Sequence, residues 1–278
     1  MIRRAKPSLG TLVEIAIVPS PSLTQQQAND AIALAFKRIE HISNSLSFHA
    51  PNSELSQLNA NPTQWIPMGQ DGMRVLRLAK AIGRLSHNGF NCTVGGELVQ
   101  QGALPLNVKH GFLAQGHWQD IELKLHHAKL NRPVLITLDG IAKGYAVDMA
   151  VSTLHRLGIE GGWVNAGGDL KVFGSASLPL QQRRKTGLSK VIMLTNIALA
   201  SSRISKGFDI DYPALIISGD ATKASNANDE QIVSVSARFA WRADALTKIA
   251  ACANSENAFQ QIDDLGGTIM RFDTMEPH

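Results

Sequence analysis

One stretch of the sequence, residues 136–174, constrains most strongly what the chain can fold into. An apolar segment leads through a glycine-containing turn into a helical pattern, and a second glycine turn follows at residues 167–169. We predict a strand that ends at Ile136 and a helix that ends at Gly158, because glycine often closes helices. The residues spaced to form one face of this helix are Val147, Val151, Leu154 and Leu157.

The first glycine turn, residues 139–144, stands directly before that helix. A helix N-terminus presents backbone N–H groups and the positive end of the helix dipole, and Lys143 adds a full positive charge. The turn therefore indicates a phosphate or carboxylate site. An ordinary strand–turn–helix with a solvated lysine gives the same pattern, because short glycine motifs are common. Both interpretations stay open at this point.

Composition limits the classes of partner. The chain has 278 residues, of which 44% are hydrophobic and 18% are charged, enough for one large domain or two small ones. The net charge of +4 is scattered, and the densest basic run, residues 183–185, is expected to be a solvated loop, so no nucleic-acid partner is predicted. Cys92 and Cys252 are far apart and unaccompanied, so we expect no disulfide framework.

The first residues have a basic start but neither a long apolar core nor a small-residue cleavage site. We predict a strand at residues 11–18 instead. No segment reaches the length of a membrane span. The expected location of the chain as given is therefore cytoplasmic, although a chain from which an export signal had been removed would show the same features.

Hydrophobic periodicity and turn residues predict the remaining elements. Helices are predicted at residues 24–45, 54–58, 71–86, 243–252 and 256–265. Strands are predicted within 118–130 as a pair, and at 191–194, 198–200, 214–217, 232–237 and 268–272, with a loop at 88–95. We expect Val75, Leu78, Ile82 and Leu85 to form the buried face of the third helix. Since strands and helices mix without a strict βαβ rhythm, we expect the α+β class.

Several short segments stand in a fixed order around the central stretch. They are Leu9-Gly10-Thr11, Leu46-Ser47-Phe48, SELSQLN at 53–59, GFNCTVG at 89–95, Val233-Ser234-Val235 and Ala243-Asp244-Ala245-Leu246. With the central stretch, this set resembles the FAD:protein FMN transferases, the ApbE family, over nearly the whole chain. The resemblance implies an α+β fold with mixed sheets, flanking helices and a flavin-nucleotide cleft. It also implies one catalytic domain over residues 1–278, or two closely packed subdomains.

The resemblance implies an activity as well. Such a transferase moves FMN from FAD to a threonine of a target flavoprotein and releases AMP, with Mg²⁺ neutralising the pyrophosphate. This chemistry needs positioning and charge stabilisation more than a nucleophile from the enzyme. The implied partner is a target flavoprotein that carries the acceptor threonine. No oligomeric state is predicted.

The resemblance also assigns site residues. The flavin site would be built from Leu9, Ser47, Phe48, His49, Gly89, Phe90, Asn91, Thr137 and Lys143. The metal would be held by Asp244, by the main-chain carbonyl of Gly140 and by Thr247, and Asp244 and Lys143 would be the catalytic groups. Without the resemblance, Asp244 at the head of its helix would be interpreted as a helix N-cap, and the two phenylalanines as core.

The chain departs from the family pattern at polar positions. Thr137-Leu138-Asp139-Gly140 stands where the family has Asp-Leu-Gly-Gly, and Lys248 stands where it has a threonine ligand. The remaining departures are Asn91-Cys92 for Asp-Pro, Ser201-Ser202-Arg203 for Thr-Ser-Gly, and residues 212–219, which lack the family's His and Asp. Lys248 would either exclude the cation or replace it.

Three functional alternatives follow from these departures. The chain is an active, divergent transferase; or a catalytically impaired FAD-binding relative that serves as a carrier or regulator; or a structural or partner-binding descendant.

Overall fold

The structure is a computed structural model that describes residues 1–184, 187–204, 216, 231–252 and 255–272. Its helices are α1 (Gln25–Leu46), α2 (Glu54–Ala60), α3 (Gln70–Leu85), α4 (Gly95–Gln100), α5 (Ala142–Arg156), α6 (Ala240–Cys252) and α7 (Ser255–Asp264), with a 3-10 turn at Trp118–Asp120. The strands are β1 (Ile2–Ser8), β2 (Thr11–Ile17), β3 (Ile66–Pro67), β4 (Ile121–Lys124), β5 (His127–Leu130), β6 (Gly161–Ala166), β7 (Asp169–Gly174), β8 (Ser177–Leu180), β9 (Arg183–Arg184), β10 (Gly187–Leu188), β11 (Ile192–Thr195), β12 (Ala198–Ile204), β13 (Gln231–Ala237) and β14 (Gly267–Met270).

The largest sheet among the described residues has seven strands in the order β1-β2-β6-β7-β12-β13-β14. Each of its neighbouring pairs is antiparallel. Smaller antiparallel groups are β3-β5-β4, β8 with β11, and β9 with β10. Helices and antiparallel sheets therefore form an α+β protein, and the predicted fold class is confirmed.

Helix α1 shows how the sequence defines the helical layer. The hydroxyl of Thr24 accepts from the N–H of Gln27 at 3.2 Å, and Gln27 Oε1 accepts from the N–H of Thr24 at 2.9 Å. This capping box sets the start of the helix one residue after the predicted position. Its apolar residues at helical spacing are buried: Ile32, Phe36, Ile39 and Ile42. Helix α1 packs against α5, which in turn packs against α6.

Alternating side chains give the large sheet two apolar faces. Val13, Ile15 and Val164 belong to the main core beneath the helices, whereas their neighbours Ala16 and Trp163 belong to a second cluster on the opposite face. This is the expected result of the two-residue repeat of a strand. The β8–β11 pair contributes to that second cluster.

Most predicted elements lie within a few residues of the observed ones, and some predictions are wrong. The loop predicted at residues 88–95 is observed as far as residue 94, where α4 follows, and neither α4 nor β1 was predicted. Leu85 and Leu157 are 59% and 43% exposed, because each lies at the C-terminal end of its helix, where the helix leaves the core. The predicted strand at 214–217 and the segment 212–219 fall, apart from residue 216, outside the described residues.

The segment before α5 is not the predicted strand. Within the described structure, residues 133–137 pair with no strand, and the backbone N–H and carbonyl of Ile136 bond instead to the side-chain amide of Asn59, each at 2.8 Å. A buried amide side chain on α2 thus takes the place of a neighbouring strand.

In the described parts of the chain, no helix combines the length and the apolar character needed to cross a membrane.

Candidate functional site

The site forms where α6 crosses the first turn of α5. Gly144 allows this approach, because a side chain there would collide with the carbonyl oxygen of Ala240. At that crossing, Asp244 Oδ2 accepts from the N–H of Gly144 at 3.3 Å. The carboxylate of α6 therefore caps the N-terminus of a different helix.

Asp244 does not lie at the head of its own helix. Helix α6 begins at Ala240, so Asp244 is in its second turn, and both the predicted position and the own-helix N-cap alternative are wrong. The predicted free backbone N–H groups of α5 are also partly occupied, since the N–H of Ala142 donates to the carbonyl of Leu138 at 2.7 Å. The main positive group at this helix end is therefore a side chain, Lys143.

Lys143, in the first turn of α5, pairs with Asp169, the first residue of β7, at an Nζ–Oδ2 distance of 3.3 Å. Asp169 attracts the ammonium and raises the pKa of Lys143 despite its burial, with help from Asp244 and Asp139. Burial and the carboxylate of Asp244 raise the pKa of Asp169 to about 6, against the lowering effect of Lys143 and Lys248. Lys143 stays 35% exposed, so its ammonium can reach a ligand.

Lys248 completes the cluster from the next turn of α6. Its ammonium donates to Asp244 Oδ1 at 3.0 Å, to Thr247 Oγ1 at 3.0 Å and to Ser202 Oγ at 2.8 Å. Asp244 and Thr247 are 1% and 0% exposed, and Ser202 on β12 is 8% exposed. Two ammonium groups and two carboxylates thus meet at the start of α5.

Two other residues predicted for the site, Gly140 and Gly89, lie beside α6. A methyl group added at Gly140 would stand 3.2 Å from Lys248 Cγ and 3.3 Å from Phe90 Cε2, so Gly140 lies between these two side chains. Gly89 lies beside Ile249 of α6. The buried hydroxyl of Thr137 donates to Asp139 Oδ2 at 3.0 Å.

Leu9 lies at a turn near the cluster. Leu9 and Gly10, with φ of 54° and 70°, form the two-residue turn of the β1–β2 hairpin. The next residue, Thr11, packs against Gly167 in the second glycine turn, which leads directly into Asp169. The two turns therefore lie side by side at one end of the sheet.

The predicted residues after α1 have other contacts. In the described structure, the carbonyl of Ser47 accepts from the Ser53 hydroxyl at 2.6 Å, and that of Phe48 accepts from Asn107 Nδ2 at 2.8 Å, while His49 is exposed. None of these polar contacts joins the segment to the Lys143–Asp244 cluster. Phe48 belongs to the main core, as does Phe90, which agrees with the packing alternative.

Asn91 stabilises its own loop. Its Oδ1 accepts from the N–H of Thr93 at 2.9 Å, and its Nδ2 donates to the carbonyl of Gly116 at 3.1 Å. A contact with flavin stays a prediction for Asn91, as it does for the other residues assigned by resemblance.

The residues present do not fit a divalent cation in addition to Lys248. The oxygens of Asp244 and Thr247, both predicted ligands, converge on the Lys248 ammonium, which fills the position between them. Among the described residues, no group of three or more His, Cys, Asp or Glu side chains could hold a metal ion.

Sequence reasoning missed Asp169, Ser202 and the role of Gly144. Asp169 follows the second glycine turn directly, and this position after a sharp turn was a usable signal. Ser202 and Gly144 stand in segments already singled out, but their roles could not be predicted, because their contacts lie 46 and 100 residues away along the chain.

Comparison with known proteins places this architecture in a family. The family model described as ApbE family matches residues 9–271. Because this match covers nearly the whole sequence, the chain belongs to the ApbE family. No curated protein matches the chain.

Solved structures share the fold at low sequence identity. The ApbE protein of Thermotoga maritima is 21% identical, with a TM-score of 0.80 over 96% of this chain and 92% of that one. The flavin transferase ApbE of Vibrio cholerae is 17% identical, with a TM-score of 0.76 over 98% and 96%. The flavinyl transferase ApbE of Pseudomonas stutzeri is 18% identical, with a TM-score of 0.74 over 94% and 86%.

Proposed function

We propose that this chain is a flavin transferase that moves FMN from FAD to a threonine of a target flavoprotein. Membership in the ApbE family over residues 9–271 supports the class of reaction, as does the likeness of the fold to proteins described as flavin transferases. The observation that carries the proposal is the partly exposed side chain of Lys143, held at the start of α5 beside buried carboxylates.

The reaction requires little covalent chemistry from the chain. The threonine oxygen of the target forms a bond to the FMN-side phosphorus of FAD, and the bond from that phosphorus to the bridging oxygen breaks. AMP leaves with the bridging oxygen, and the hydroxyl proton passes to water. Nothing is oxidised or reduced. The chain therefore has to position the pyrophosphate and stabilise its charge.

Within this proposal, Lys143 contacts a phosphate oxygen, and Asp169 orients the lysine through their ion pair. The segment 137–140 and the loop at Gly89 and Phe90 lie beside α6. In this proposal they form the wall of the FAD site next to Lys143. Magnesium assistance, which the resemblance implies, is not part of the proposal, because Lys248 occupies the place between the oxygens. A cytoplasmic location stays a prediction.

The structure also favours a second candidate. An FAD-binding relative that does not transfer FMN, acting as a carrier or regulator, would fit the same cluster. The specific observation in its favour is that the ammonium of Lys248 donates hydrogen bonds to the oxygens of Asp244 and Thr247, which were the predicted metal ligands.

Two measurements separate these candidates. FAD binding is measured by calorimetry, and AMP release is then followed with FAD and a flavoprotein domain that carries an acceptor threonine. Binding with AMP release and a gain of FMN mass on the domain supports the transferase. Binding without either product favours the second candidate, and absence of binding contradicts both.

Lys143→Gln tests the proposed phosphate contact. Loss of a charged hydrogen bond costs about 1.5–3 kcal/mol, so we expect FAD affinity to fall about 10-fold to 100-fold. The matched control is Lys124→Gln, which removes the same charge from an exposed position on β4 and should leave affinity unchanged. Equal affinity of the two variants would contradict the role of Lys143.

A further inference from the structure

The ammonium of Lys248 is enclosed by oxygen atoms. Each of its three N–H groups has an acceptor: Asp244 Oδ1 at 3.0 Å, Thr247 Oγ1 at 3.0 Å and Ser202 Oγ at 2.8 Å. No N–H of Lys248 is then left for a phosphate oxygen of a ligand. Its contribution to an anion site is therefore charge, while the direct hydrogen bond has to come from another group.

The hydroxyl protons around Lys248 point away from it. The Thr247 hydroxyl donates to the carbonyl of Asp244 at 2.7 Å, and the Ser202 and Thr247 hydroxyls are 2.7 Å apart. Because the Thr247 hydroxyl proton is already donated to the carbonyl of Asp244, the Ser202 hydroxyl must be the donor in its bond to Thr247. The lone pairs of both hydroxyl oxygens therefore face the ammonium of Lys248. A carboxylate and two hydroxyls with converging lone pairs are the oxygen donors that small hard cations bind.

Burial of the carboxylates favours a cation at this place. Asp244 is 1% exposed, and Asp169, also buried, lies close enough for its pKa to be raised by Asp244. Two buried carboxylates with a single lysine, Lys143, would leave negative charge uncompensated in a region of low dielectric constant. Lys248 supplies the missing charge.

We propose that Lys248 is an internal cation that takes the place of an exchangeable divalent metal in this site. Its ammonium holds the oxygens of Asp244, Thr247 and Ser202, so that the chain binds the pyrophosphate of FAD without added metal. The part that concerns FAD rests on the proposed function. The part that concerns the metal depends only on the oxygens of Asp244, Thr247 and Ser202, which are called the oxygen cage.

The first test uses Mn²⁺ on the purified apo-protein, with binding followed by electron paramagnetic resonance. Lys248→Thr removes the ammonium and adds a hydroxyl, and we expect its Mn²⁺ affinity to exceed that of the wild type by about 10-fold or more, because an opposing charge has left the cage. Adding Asp244→Asn to Lys248→Thr should abolish the gain. Equal Mn²⁺ affinity in the wild type and Lys248→Thr would overturn the proposal.

A thermal measurement covers the case in which Lys248→Thr folds poorly. A ligand that binds only the folded state raises the melting temperature, so Mg²⁺ should raise that of Lys248→Thr and leave that of the wild type unchanged. A similar rise in the wild type would contradict the internal cation.

The second test needs only the wild-type chain. FAD affinity is measured by calorimetry in excess EDTA and then in excess Mg²⁺, and we expect the two values to agree within about twofold. An affinity at least about tenfold higher with Mg²⁺ would overturn the proposal. Absence of FAD binding in both buffers would instead refute the proposed function, while the Mn²⁺ comparison would still decide the role of Lys248.

Discussion

Two lysines at the start of α5 have different capacities to bind a ligand. Lys248 has an acceptor for each N–H group, whereas Lys143 has one described ion pair, with Asp169, and is partly exposed. Sequence reasoning identified both positions, because one follows a glycine turn and the other replaces a family threonine. It could not tell their roles apart, since these depend on partners from β7 and β12.

Asp169 gives the site a specific dependence on pH. Its pKa is raised by burial and by Asp244 from 3.8 to about 6. A carboxyl group with a native pKa above its unfolded value keeps its proton in the folded state while the unfolded chain loses it. The contribution of Asp169 to stability therefore falls as pH rises from about 4 to about 6, by about 3 kcal/mol in total.

Asp169→Asn should remove this dependence. We expect the free energy of unfolding of the variant, relative to the wild type, to increase between pH 4 and pH 7 by up to about 3 kcal/mol. Urea denaturation at a series of pH values measures the difference, with Asp263→Asn, an exposed position, as the control. A difference that is independent of pH would contradict the assignment.

At the scale of elements, regular periodicity was the reliable signal. Helices α1, α3 and α5 carry apolar residues at helical spacing. The bounds of α1 and α3 were predicted within about one residue, whereas α5 begins at Ala142, inside the turn predicted at residues 139–144. The apolar run at 133–137 was misassigned, because its composition is that of a strand while its hydrogen-bond partners are backbone groups outside the strands and the side chain of Asn59. No local pattern indicates that the side-chain amide of Asn59 would supply both the donor and the acceptor for the backbone of Ile136.

Asn59→Ala tests this replacement of a strand by a side chain. It would leave the buried N–H and carbonyl of Ile136 without partners, so we expect a loss of about 2–4 kcal/mol in the free energy of unfolding. Gln57→Ala, at an exposed position on the same helix, should change it by less than about 0.5 kcal/mol. Chemical denaturation compares the two, and similar losses would show that the amide has no special role.

At the scale of the whole molecule, the order of strands could not be predicted from the sequence. Strand β2 pairs with β6 across the segment that contains α1 to α5, and β7 pairs with β12 across the segment that contains the β8–β11 pair. The side chains on each strand specify a buried face but not a neighbour. The pattern of strands and helices already favoured the α+β class, and the family resemblance added the expectation of mixed sheets with flanking helices.

We propose that residues 1–278 form a single domain, since the main core contains side chains from Val13 in β2 to Ile262 in α7. We expect one cooperative unfolding transition, with superimposable curves from far-ultraviolet circular dichroism and tryptophan fluorescence. The tryptophans at 65, 118, 163 and 241 report on separate parts of the fold. Two resolved transitions would favour the alternative of two packed subdomains.

The balance of formal charges at the start of α5 has a consequence for ligand binding. Lys143 and Lys248 neutralise Asp169 and Asp244, so the cluster has no net charge with which to attract a pyrophosphate. Uptake of one proton by Asp169 would free Lys143 and leave the cluster positive. The proton would then act as a co-ligand of FAD, and each would strengthen the binding of the other by the same factor.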